Sequence, residues 1–144
     1  MKSLLVKSGV ILIIGLAIFG NAEAWGADWK YYGSDELSMD YYDAQSITRP
    51  SENVVRVWVK SYYTKKGVMF WVSHMERFGE KFYDLNNSII LHEINCLEKK
   101  YRNPSGVFYD NKREPIHSLD GTSSEWHFFV PDTVAESLYK EVCK

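Results

Sequence analysis

Two cysteines, four histidines and a spread of carboxylates are the residues whose types could do chemistry. Their spacing assembles little of it. His74, His92, His117 and His127 never fall at the H-x-x-x-H interval that sets two imidazoles on one helix face, and no C-x-x-C is present. No G-x-S-x-G, P-loop or G-x-G-x-x-G occurs either. Asp40, Asp43, Asp84, Glu93 and Asp110 could serve as acids or bases. Any two would do equally well without a distance between them, so they single out no site. Cys96 follows His92 by four residues. On a strand the two share a face but stand about 13 Å apart, at ~3.3 Å per residue, too far for a thiol to pass its proton directly to the imidazole. The expectation is a protein that is not an enzyme, with no metal and no cofactor.

The N-terminus bears on the cysteines. Residues 1–24, MKSLLVKSGVILIIGLAIFGNAEA, carry Lys2 and Lys7, then an apolar run from Val10 to Phe19, then Ala22-Glu23-Ala24. That is the order of a secretory signal peptide: charged start, short apolar centre, small-x-small cleavage site. The competing reading is a membrane anchor, but the charge-free run is shorter than the roughly 18–20 residues a span requires. No cysteine stands at the cleavage site, so no lipoprotein anchor is expected, and no later stretch is long and apolar enough to span. Residues 25–144 are then one exported domain without a transmembrane segment. In an oxidising compartment Cys96 and Cys143 are most simply a disulfide. Closing a loop of roughly 50 residues stabilises by about 4 kcal/mol on the chain-entropy estimate. Taking Lys2, Lys7 and Glu23 away from 17 basic and 19 acidic residues leaves the exported part slightly acidic, which argues against a nucleic-acid partner.

The elements that must position these residues begin with strands. DWKYYG and MDYYD flank the turn SDELS. In NVVRVWVKSYYT, Val55, Val57 and Val59 alternate with Arg56, Trp58 and Lys60, the pattern of a half-buried strand. Val68, Trp71, Val72, Met75 and Phe78 fall at helical spacing and Gly79 follows, predicting a helix over Val68–Phe78 with FYDLNNS as loop. SIILHEINCLEKKYR, from Ser88 to Arg102, reads as one long strand. GVFYDNKREPIHSL reads as a hairpin, and SEWHFFVP as a last strand. Thr133 and Glu136 match a capping box ahead of Val134, Leu138, Tyr139 and Val142, predicting a C-terminal helix. Cys143 stands at the margin of that apolar stripe, one turn beyond Tyr139. The fold class is α+β: a mostly antiparallel sheet of about six strands, with the C-terminal helix packed on one face and tethered by the disulfide.

Several stretches in order along the chain resemble the surface-adhesin protein E family of Gram-negative bacteria. They are DWKYYG, YYDAQSITR followed by NVVRVWVK, HEINCLEKKYR, VFYDNK and EWHFFVPDTVAESLYKEVCK. The resemblance implies a curved antiparallel sheet whose C-terminal helix is held by a bridge between Cys96 and Cys143. It also implies an outer-membrane role in binding extracellular-matrix or plasma proteins, and dimer formation.

Together these features predict a non-catalytic exported protein, periplasmic or associated with the outer surface, that binds a protein partner of matrix or envelope type. Aromatic and basic groups are the usual anchors of such contacts. The candidates are Phe70, Trp71 and Phe78 with the neighbouring Lys65 and Lys66; core packing is the competing reading of the aromatic residues. One alternative is a periplasmic enzyme whose site is built only in space, from a pocket gathering His92, Glu93 or His127 with a perturbed carboxylate. Another is an envelope assembly protein that recruits a partner strand, or a second copy of itself, at an exposed sheet edge.

Overall fold

The computed structural model describes residues 26–121 and 124–144. The leader assigned to residues 1–24 lies outside them. The chain forms β1 (Trp29–Ser34), β2 (Ser38–Asp43), β3 (Thr48–Ser51), β4 (Val54–Tyr63), helix α1 (Lys65–His74) and a 3-10 helix (Glu76–Asp84). It continues through β5 (Leu85–Asn95), β6 (Lys100–Asp110), β7 (Pro115–Leu119), β8 (His127–Phe128) and helix α2 (Val134–Val142). The strands make one antiparallel sheet in the order β1-β2-β4-β5-β6-β7, with β3 beside β4 and the short β8 beside β6.

Register fixes which residues share a face. Val55, Val57, Val59 and Ser61 of β4 stand opposite Ile94, His92, Ile90 and Ser88 of β5. Asp40 and Tyr42 of β2 meet Ser61 and Val59, and Phe108 and Gly106 of β6 meet Ser88 and Ile90. All of these lie on one inner face. The outer face carries Arg56, Trp58, Lys60 and Tyr62 from β4, with Tyr41 and Met39 from β2. That face is open to solvent: Tyr31, Met39 and Tyr62 are exposed, and Lys60 lies over the Trp29 ring at 4.3 Å.

Two separate apolar clusters cover the inner face. In the first, Leu138 and Val142 of α2 press onto Tyr42, Val55, Val57, Val59 and Ile94. Cys96 and Cys143 are bonded there, with Cα atoms 5.6 Å apart, and the Tyr139 hydroxyl donates to the Cys96 carbonyl at 3.1 Å. One half of the predicted capping box is present, the Glu136 amide donating to Thr133 Oγ1 at 3.3 Å, while the Glu136 carboxylate accepts from the Asp132 amide at 3.4 Å. In the second cluster, Phe82, Leu85 and Phe108 are buried beneath Val68, Trp71, Val72 and Met75. Gly67 permits this packing. A Cβ there would sit 2.0 Å from the Leu37 carbonyl oxygen, so the start of α1 rests directly on the β1–β2 turn.

Four sequence expectations need correction. Ser88–Arg102 is a hairpin rather than one strand. The Asn95 side chain accepts from the Leu97 and Glu98 amides at 3.1 and 3.0 Å, and Lys99 takes φ 55°. An Asn that satisfies the turn's own amides replaces the glycine that usually marks a turn. The helix predicted over Val68–Phe78 begins earlier and ends at His74, where Met75 leaves helical geometry and a 3-10 helix takes over through FYD. Leu85, Asn86 and Asn87, expected as loop, already belong to β5. Of SEWHFFVP only His127 and Phe128 pair, while Phe129 turns inward onto Tyr101 and Tyr139.

Candidate functional site

Between the two helical caps the inner face is left open as a cleft of about 440 Å³. Its floor comes from Val59, Ser61 and Tyr63 of β4, Ile90 and His92 of β5, and Tyr101 and Phe108 of β6. One wall is Phe70, Trp71 and Met75. The other is the first turn of α2, Thr133 to Ala135. The end near β1 and β2 carries Tyr32, Asp35, Ser38 and Asp40. Alternation explains the polar floor. Asp40 shares its strand face with Tyr42, and Ser61 and Ser88 continue the face that Val55, Val57 and Val59 begin. The row that is apolar under α2 turns polar where neither helix covers it.

Asp40 is 7 % exposed, and its Oδ1 has no hydrogen-bond partner. Burial raises its pKa above the usual carboxylate range, opposed by hydrogen bonds from Ser61 and Ser38. Burial also raises the pKa of Tyr32, aided by the nearby charge of Asp40, and that of Tyr63, whose hydroxyl lies 2.7 Å from that of Ser88. Both phenols stay protonated at physiological pH. His92 is pushed the other way, to about 4, because burial disfavours its cation. The lining includes two carboxylates, Asp35 and Asp40, a neutral imidazole and, among the described residues, no lysine or arginine.

The residues named from sequence scatter across this frame. Trp71 is a wall and is also core, its ring 4.9 Å from that of Phe108 and 6.2 Å from that of Tyr63. Phe70 stands exposed at the mouth, stacked on His74 at 3.9 Å. Lys65 and Lys66 are exposed at the start of α1, and Lys66 pairs with Glu36. The side chain of Phe78 lies outside the described residues. The groups named for an enzyme are divided by the sheet. His92 is in the cleft, whereas Glu93 is on the outer face between Arg56 at 3.6 Å and Arg102 at 3.3 Å, and His127 is on β8.

His92 is paired with Val57, and Asp40 with Ser61 across β2–β4. The offset is four residues along the strands and two strand spacings across, or about 16 Å between Cα atoms. That is beyond direct proton transfer between the two. Among the described residues no three of His, Cys, Asp and Glu gather as a metal site, and no helix is long and apolar enough to cross a membrane. Asp40 had been only one carboxylate among many. The signal that marks it is its parity with Tyr42, which puts a carboxylate on the face that packs the core.

No curated protein and no solved structure matches this chain. A family profile does, over residues 29–144, from the first strand through the C-terminal helix and both cysteines. The antiparallel sheet, the C-terminal helix and the bridge are what the resemblance implies. On that match the chain belongs to the surface-adhesin protein E family.

Proposed function

We propose that the chain acts outside the cytoplasm as a non-catalytic binding protein, holding a protein partner of the envelope or the surrounding matrix. Family membership supports the binding class. The observation that carries the reading to a place is the cleft: a recess walled by aromatic rings, in which His92 and Asp40 stand too far apart to share a proton. Phe70 and Trp71 form the contact edge of this recess, and Lys65 and Lys66 flank it at the start of the same helix. The leader read over residues 1–24 delivers the domain across the inner membrane, where the Cys96–Cys143 bridge persists.

A photo-crosslinking residue at Phe70, in cells that make the protein, tests this. A discrete adduct is expected there and not at Leu97, which is 73 % exposed on the turn beside the disulfide. Equal labelling at both positions, or none, would overturn the reading. Protease treatment of intact and of permeabilised cells then separates surface from periplasm. Digestion of the folded domain on intact cells makes matrix proteins the partners, and protection until permeabilisation makes them envelope components. Light scattering across concentration reports whether the partner is a second copy.

A further inference from the structure

The charged side chains of the cleft have one sign. Among the described residues Asp35 and Asp40 line it and no lysine or arginine does, and at the helix end facing them Thr133 Oγ1 takes the Glu136 amide. Asp35 is committed to its turn, accepting from the Leu37 and Ser38 amides at 2.8 and 3.0 Å. Asp40 is committed only in part, by hydrogen bonds from Ser61 and Ser38. It is more than nine-tenths buried, it lines the recess, and its Oδ1 lacks a donor. Buried carboxylates are normally paired or fully hydrogen-bonded, because water is no longer there to solvate them. A carboxylate left short of a donor beside an open recess lacks a partner from outside. Aromatic rings share its recess: Tyr32, Tyr63 and Trp71 line the same space, and ring faces attract cations within about 6 Å.

We propose that this cleft is a recognition pocket for an organic cation, the ammonium or guanidinium head of a lysine or arginine on the partner protein. Asp40 receives the charged head and the rings of Trp71, Tyr63 and Tyr32 enclose the stem. The proposal rests on the binding role put forward above. The pocket would be the specificity element of that contact, since a basic side chain places its aliphatic stem along rings and its donors on one buried acceptor. A basic side chain suits the recess better than an anion, which would meet two carboxylates and, among the described residues, no lysine or arginine.

Fluorescence or calorimetric titration of the oxidised full-length exported chain with three probes tests the idea. The probes are N-acetyl-lysine methylamide, N-acetyl-arginine methylamide and the uncharged N-acetyl-norleucine methylamide. Saturable binding of the cationic probes is expected, at least about tenfold tighter than norleucine, a difference of about 1.4 kcal/mol. That preference should disappear in Asp40→Asn and persist in Glu98→Gln, a change on the exposed β5–β6 turn. Equal binding of lysine and norleucine probes overturns the proposal, whatever the variants do. So does a folded Asp40→Asn protein that keeps the preference. A free diamine that binds tighter than either residue mimic overturns the assignment to a partner's side chain. The Phe70 crosslink separates this claim from the one beneath it. A full adduct in Asp40→Asn leaves the binding role standing and removes the cation pocket, whereas loss of the adduct in the parent protein removes both.

Discussion

The two caps on the inner face are built on opposite principles. α2 is bolted down: a disulfide at its C-terminal end, a tyrosine hydroxyl on the Cys96 carbonyl, and Leu138 and Val142 buried beneath it. α1 has no covalent tie, and its one buried residue is Gly67. It is held by rings, Trp71 on Phe108 and Tyr63, and by the 3-10 helix that places Phe82 against Phe108 at 5.6 Å. One wall of the cleft is therefore fixed by the chain's covalent structure and the other by noncovalent contacts alone. A partner that needs room would find it by moving the α1 wall.

Breaking the bolt gives the largest expected effect. Replacing both cysteines by serine should lower stability by about 4 kcal/mol. In native-state hydrogen exchange the amides of α2 should lose protection first, while those of α1 change little. Equal denaturation midpoints with and without reductant would show that the bridge contributes nothing. Removing the ring that anchors the other cap comes next. Phe82 is fully buried, and Phe82→Ala should cost about 3 kcal/mol, the low end for such a truncation because a cap at the surface can settle into the space. Here α1 should lose protection and α2 keep it. If both variants open both caps together, the contrast between the two walls is wrong.

The cleft between them offers a sharper comparison through pH. His92 has its pKa lowered to about 4, against about 6.5 in an unfolded chain. The folded form therefore binds fewer protons across that interval. Stability present above pH ~6.5 is lost as pH falls towards 4, up to about 2 kcal/mol after allowing for the open cleft. His92→Gln should flatten that part of the stability–pH curve. Asp40 runs the other way. With its pKa raised, its ionised form is disfavoured by folding, so its contribution is lost as pH rises past the carboxylate range. Asp40→Asn should be at least as stable as the parent at neutral pH and gain nothing in acid, as urea midpoints at both pH values would show. A large loss at neutral pH would mean that Asp40 is structural.

Much of this frame is legible in the sequence, and the reason is local. β4 is written in period-two alternation, β1 and β2 in short aromatic runs about a turn, and α2 in a capping-box pair ahead of an apolar stripe, signals that nearby residues complete. The β5–β6 turn was missed because Asn95 and a left-handed Lys99 make it without glycine or proline. The cleft was missed for a different reason. It exists because two caps stop short of each other, and nothing in a strand's own pattern says where its cover ends. Asp40 acquires its character from burial between elements that are far apart in the chain.

The smallest effect tests the two walls through the same residue type. Each helix begins at a threonine whose Oγ1 accepts from an amide three residues on, Gly67 at 3.1 Å for Thr64 and Glu136 at 3.3 Å for Thr133. Loss of such a cap costs about 1 kcal/mol. What differs is where each hydroxyl donates. Thr133 gives its proton locally, to Val130 at 2.7 Å. Thr64 gives it across the fold, to the Glu36 carbonyl at 2.6 Å, with Leu37 at 3.2 Å. Thr133→Ala should therefore fray the first turn of α2 while the disulfide keeps the helix docked. Thr64→Ala should both fray α1 and release it from the β1–β2 turn, at a cost somewhat above about 1 kcal/mol, with Thr64→Ser restoring most of it. Equal losses at the two positions would mean that the hydroxyl bond to Glu36 does not hold α1 in place. The rings of Trp71 and Phe82 would then hold that wall without help from its cap.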